Sequence, residues 1–201
     1  MRADARRETI VTVATREFAS RGYERTRVAD VATALKVTEP VVFQQFGSKA
    51  GLFIAVVGRA TDEFAAHLEG MAEENPDVLT LLAQMLSAEH LDRLHQKGGL
   101  GVLFADATRR PIGDPIRDAA DRGITRIVRM VGKMLRRGQS AGSVRRDIAA
   151  TELAWFALSL IQAWAFRHSH RVGPVPSFER DIIAGEIDSM RPRSRRARRG
   201  L

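Results

Sequence analysis

The segment KVTEPVVFQQFGSK, residues 36–49, constrains the fold of this chain more than any other. Its centre, Val41-Val42-Phe43, has the β-branched and aromatic character of a strand. Thr38, however, suits a helix N-cap, and Pro40 suits a first helical turn, where a missing N–H costs nothing. Val42 and Phe46, four apart, share one face of a helix. Both flanking segments read as helix, so a strand here would have no partner. The expectation is a short helix ending at Gly47, because propensity is a weak prior that context overrides.

The same 3–4 apolar spacing runs through the chain. Residues 4–21 place Ile10, Val13, Ala14 and Phe18 on one face, and Gly22 ends the helix. Thr26 is the expected N-cap of a helix over 27–34, and residues 35–37 form a tight turn. Ser48 caps a helix over 49–71 that carries Leu52, Phe53, Val56, Val57, Phe64 and Leu68. Further helices are expected over 77–96, 100–110, 115–139, 149–169 and 177–190, separated by ENPD, KGG, Pro111, GQSAGSV and VGPVPS. No strand, repeat or heptad run is evident. The fold class is all-α, with about nine helices.

Three regions follow: 1–50, 51–190, and an arginine tail, 191–201, expected to be disordered. The net charge of +8 is concentrated at the ends: the tail RPRSRRARRGL holds six arginines and no acid, and residues 1–50 carry +3. A polyanion would therefore meet the ends first. The chain has no cysteine, so disulfides and thiolate metal sites are excluded. The longest apolar stretch, 153–166, is shorter than the roughly 20 residues a bilayer requires, and no N-terminal signal is visible. A cytoplasmic protein without membrane association is expected.

Two short helices joined by a three-residue turn, between a longer helix before and after, make a helix-turn-helix, whose second helix lies in the DNA major groove. Ile10, Ala14, Phe18, Val31, Leu35, Val37, Val42, Phe46, Leu52 and Val56 supply a small core. Glu39, Pro40, Val41, Phe43, Gln44 and Gln45 remain on the outer side. A short core helix in an all-α bundle would show the same periodicity.

Residues 10–58 also resemble the DNA-binding region of TetR-type transcriptional regulators. The resemblance rests on Phe18, Gly22 and Tyr23, then Thr26, VADVA at 28–32, VT at 37–38, Phe43 and Phe46, and GSK with Leu52. It implies a homodimer that reads a near-palindromic double-stranded operator and is released by a small-molecule effector bound in the C-terminal helical domain. This sequence departs from the family pattern at Lys36, where glycine is usual, and at Val41, Phe43 and Gln45, where hydroxyls or a ring are usual. Lys36 in a left-handed turn would carry roughly 1 kcal/mol of strain. Phosphate grip then falls to Lys49, Thr38, Arg27, Lys36 and the arm with Arg2, Arg6 and Arg7. Phe43 and Val41 are left for thymine methyls, and Gln44 or Gln45 for adenine.

Phe53, Phe64, Leu82, Met85, Leu86, Phe104, Ile124, Ile127, Met130 and Trp155 are candidates for an apolar effector cavity, with His67, Arg126 or Gln162 as polar contacts. The helix 149–169 is apolar nearly all round, so it should bury more than one side. Ala154, Leu158, Ile161 and Ala165, with Ile182, Ile183 and Ile187, are the candidate dimer face. His168 and His170, two apart on a helix, point to different sides, and His90 and His95 do not share a face either. GGLG at 98–101 follows no strand, which argues against a phosphate loop. No catalytic constellation, metal or cofactor is expected. Two readings stay open beside the DNA-binding regulator: a helical enzyme or small-molecule binder without a DNA role, and an RNA- or acidic-surface-binding tail.

Overall fold

The computed structural model describes residues 3–75, 77–95, 101–169 and 176–192. Ten helices appear among them: α1 (Ala3–Arg25), α2 (Val28–Ala34), α3 (Glu39–Phe46), α4 (Lys49–Glu74), α5 (Val78–Met85), α6 (Ala88–His95), α7 (Gly101–Thr108), α8 (Pro115–Ala141), α9 (Ala150–Ser169) and α10 (Pro176–Ser189). The described residues contain no strand, and Val41-Val42-Phe43 is helical. The helix expected over 77–96 is two helices, broken at Leu86 and Ser87. No single helix among the described residues is long and apolar enough to cross a membrane.

The chain forms two compact units, 1–66 with 93–125, and 67–92 with 126–201. Residues 51–66 and 93–125 thus pack with the front of the chain, and α4 and α8 each run through both units.

In the first unit, the core joins Ile10, Ala14, Phe18, Val31, Val42, Leu52, Phe53 and Val56 to Leu103 and Ala107 of α7. Val37, expected in that core, is 38% exposed because it belongs to the turn. Thr26 was expected to cap α2, but Arg27 is the N-cap residue. Thr26 is instead fully buried, with its hydroxyl 2.9 Å from the Gly22 carbonyl and 3.2 Å from that of Glu17. It closes the end of α1, which is kinked at Gly22 (φ 78°, ψ 165°). That region is essentially glycine-only. A Cβ there would also lie 3.0 Å from the Asp106 carboxylate. Asp106 accepts the Tyr23 N–H at 2.6 Å, so α7 satisfies a donor that the kink frees. Arg59 ties α4 to α1 by donating to Glu8 and, at 2.9 Å, to Thr12, while it also holds Glu63 at 2.7 Å.

In the second unit, Asp77 caps α5, accepting from the Thr80 hydroxyl at 2.7 Å and the Leu79 and Thr80 N–H groups. The Thr80 hydroxyl, followed by the backbone donors, holds its carboxyl below the usual carboxylate range. The guanidinium of Arg145 is clamped to Asp147 at 2.6 and 2.7 Å and donates to the Ser189 carbonyl, joining the α8–α9 loop to the end of α10.

Lys36 adopts φ 55°, as expected for the turn. Lys36→Gly should remove the left-handed penalty and raise stability by up to ~1 kcal/mol. An unchanged or lower urea midpoint would contradict this.

Candidate nucleic-acid interface

Recognition by a short helix requires that the helix be held from below. Helix α3 is held by Val42, 1% exposed, and by Phe46, which packs half-buried on the same core. Its start has the Thr38 N-cap backbone geometry, although the Thr38 hydroxyl makes no capping bond. Its end is closed by the Gly47 N–H donating to the Phe43 carbonyl at 2.7 Å. The Ser48 hydroxyl then accepts the Gly51 N–H at 2.9 Å and starts α4, and the two helices meet at a bend of 66°. A Cβ on Gly51 would lie 2.1 Å from the Phe46 carbonyl oxygen, so glycine is what allows α4 to approach the end of α3 this closely. Sequence reasoning missed Gly51, because nothing in a linear pattern marks a through-space contact.

With Val42 and Phe46 inward, α3 leaves Glu39, Pro40, Phe43 and Gln44 exposed, and Val41 and Gln45 half-buried. Phe43 is 40% exposed, unusual for a ring in so small a helix. Lys36 and Thr38 are exposed before it. Arg27 is exposed, and its N–H donates to Asp30 at 3.0 Å. Lys49 differs from expectation. Its ammonium donates to the Glu24 carbonyl at 3.2 Å and sits 4.5 Å from the centre of the Tyr23 ring. In this arrangement it braces α4 against the end of α1. Arg7 lies over Phe46, 4.9 Å from the ring centre, so the N-terminal arm is docked on α3. Arg6 is exposed, and Arg2 lies outside the described residues.

Behind this surface, Tyr23 packs on Phe53 at 4.8 Å and on Phe18 at 6.0 Å. The Arg110 guanidinium, 5.5 Å from the Tyr23 ring centre, also holds Glu24 at 3.1 Å. Burial raises the Tyr23 phenol above its ordinary value, and the Arg110 charge offsets part of that.

The expected effector residues are divided between the two units. Phe53 is fully buried in the core of the first unit, and Phe104 packs partly buried on it; these two belong to the core behind α1–α3. Phe64 and Ile124 are half-buried in that unit. In the second unit, Leu82, Met85, Leu86 and Ile127 are buried and Met130 half-buried. His67, Arg126 and Gln162 are exposed, and Trp155 is 49% exposed. Trp155 and Gln162, seven apart, fall on the solvent side of α9. His67 stacks on His90, ring centres 6.0 Å apart. The second unit does contain a groove of about 160 Å³, lined by Ala83, Leu86, Trp164, Arg180, Ile183 and Ile187. Only Leu86 of the expected pocket borders it.

Two residues of the expected dimer face are buried within the chain. Ala154 is fully buried against Gly132 of α8, and Ile187 is 5% exposed, so both face their own unit. Leu158, Ile161 and Ile183 are half-buried. Among the described residues of α9 and α10, the large apolar groups left exposed are Trp155, Phe156 at 42% and Ile182 at 43%. The side chains of Ala165, His168 and His95, and all of His170 and 193–201, lie outside the described residues.

Residues 10–56 match the sequence model described as bacterial regulatory proteins of the tetR family. The HTH-type transcriptional repressor DhaR of Mycobacterium sp. (strain GP1) is 29% identical over 164 residues, covering 79% of this chain and 78% of that protein. A transcriptional regulator from Saccharomonospora viridis, solved in complex with choline, superposes with a TM-score of 0.74 at 22% identity, over 92% of this chain and 96% of that one. FadR from Bacillus subtilis, solved with stearoyl-CoA, gives 0.70 at 14% identity, over 90% and 97%. The two structures share the fold and carry unlike ligands.

Proposed function

We propose that this chain, whose residues 10–56 are a TetR-type DNA-binding region, is a ligand-responsive transcriptional regulator acting on double-stranded DNA in the cytoplasm. Residues 1–50 bind DNA and 51–190 bind effector and partner. It works as a dimer that represses by holding a near-palindromic operator with two α3 helices, and a small effector releases it. The observation that carries this reading is α3 itself: anchored by Val42 and Phe46, it turns Glu39, Pro40, Phe43 and Gln44 outward at the matched position. The test is binding to the DNA upstream of the protein's own gene. A mobility shift that weakens steeply with salt is expected, since phosphate contacts release counterions. Absence of any shift would favour a helical small-molecule binder without a DNA role.

Phe43 gives the reading a sharper edge. An exposed phenyl in the groove meets thymine methyls, and Gln44 hydrogen-bonds adenine, so half-sites selected from random DNA should be rich in A/T. Phe43→Tyr adds a hydroxyl able to reach a phosphate and should tighten operator binding about threefold to tenfold. Equal or weaker binding would mean that the ring packs rather than reads.

The dimer is supported by the neighbouring Trp155 and Phe156 of α9, both exposed, and by the exposed Ile182 of α10, because large apolar groups left exposed mark a surface that is covered in the assembled state. Trp155→Glu with Phe156→Glu should give a monomer by sedimentation and weaken operator binding by at least about a hundredfold. A dimer of unchanged affinity would remove α9 from the interface. The effector is expected to be largely apolar, on the lining of the groove beside Leu86, Trp164 and Ile183.

A further inference from the structure

Charge in the second unit is segregated by sign. Residues 126–146 contain seven Lys/Arg and no acid, while residues 67–92 contain six Asp/Glu and no Lys/Arg. Arg145 and Arg146 are taken up locally, by Asp147 and by the carbonyls at the end of α8. Four of the other five form a face. Arg129, Lys133, Arg136 and Arg137 are all exposed, opposite the buried Val128, Val131 and Leu135. Their 3–4 spacing aligns them along roughly 12 Å of helix. None of the four makes a hydrogen bond or ion pair with another described residue. Glu69, Glu73 and Glu74, at the end of α4 in the same unit, are likewise exposed and without a described partner.

We propose that the basic face of α8 docks the acidic end of α4 of a second copy, in a contact separate from the apolar face of α9. Two observations favour a like copy over a nucleic acid. Residues 193–201 aside, which add five arginines, the unit holds eleven Lys/Arg against twelve Asp/Glu, so the part that carries α8 and the end of α4 has no net positive field of its own to draw a polyanion. A complementary set of carboxylates, Glu69, Glu73 and Glu74, is present on the chain itself and unpaired among the described residues. Guanidinium forks suit carboxylates, and three of the four cations are arginine. Each exposed pair is weak, so the contact is salt-sensitive and matters where copies are already close together. It is also heterologous, joining unlike surfaces, and can extend beyond a dimer.

The test exchanges the charges. Light scattering of the full chain should show attraction between molecules at about 20 mM salt that is gone at about 300 mM, where the Debye length is short. One variant carries Glu69→Lys, Glu73→Lys and Glu74→Lys; the other carries Arg129→Glu, Lys133→Glu and Arg136→Glu. Each alone should lose the attraction, and an equimolar mixture should recover it, associating at least about tenfold more tightly than either alone. Recovery on mixing cannot come from misfolding of either variant. A mixture no more associative than its components would overturn the proposal. So would a basic-face variant that keeps its self-attraction yet loses salt-dependent binding to a random 30-base-pair duplex, since the face would then be a nucleic-acid surface.

Discussion

Phe53→Ala is expected to cost about 3–5 kcal/mol and to cripple DNA binding through folding, not through effector response. Phe53 is fully buried, with its ring edge-on to Phe18 at 4.8 Å and tilted against Tyr23 at 4.8 Å. Truncation leaves a void between α1 and α4 that the packed helices cannot fill. Tyr23 then loses the surface against which Arg110 and Lys49 hold it. Both tryptophans, Trp155 and Trp164, lie in the second unit, so their fluorescence would under-report the loss. Circular dichroism during urea unfolding follows the helices of both units and is the proper measurement. A variant as stable as the parent but altered in effector affinity would return Phe53 to a pocket.

Gly51→Ala is expected to disturb the reading head without emptying any core. The added methyl would need the space of the Phe46 carbonyl oxygen, 2.1 Å from the position of its carbon. Backbone cannot yield as the tip of a side chain can, so α3 must swing away from α4. Such overpacking costs about 1–3 kcal/mol. The larger effect falls on DNA, because opening the 66° bend turns Phe43 and Gln44 away from their bases. Operator affinity should fall by about tenfold or more, and far more than general helix content. Binding within twofold of the parent would show that α3 does not depend on this close approach.

Much of the fold was legible because helices announce themselves locally. The 3–4 spacing of Ile10, Ala14 and Phe18, the cap at Ser48 and the stop at Gly47 act within a few residues, and each is found in place. Thr26 deceived for the same reason. It has the composition of a cap, yet the fold uses its hydroxyl to close α1 from a fully buried position. Lys49, expected to grip phosphate, also reaches the Glu24 carbonyl and the Tyr23 ring, neighbours that no local pattern reveals.

Helix α9 is the clearest division between the two levels. Its composition required burial on more than one side, and that followed from the chain alone. Which residues face which side depends on the rotation of the helix against α8, and that is set by the fit of Ala154 on Gly132. The rotation moves Ala154 inward and leaves Trp155 and Phe156 outside. The sequence by itself determined an all-helical chain with a short helix after a lysine-bearing turn, since those depend on spacing, capping and φ preferences between near neighbours. Only the tertiary structure decided the distance-dependent features: Gly51 beneath the Phe46 carbonyl, Asp106 capping the kink at Gly22, Phe53 in a core instead of a cavity, and the unpaired charges of α4 and α8. Each depends on groups brought together by packing, which no local pattern encodes.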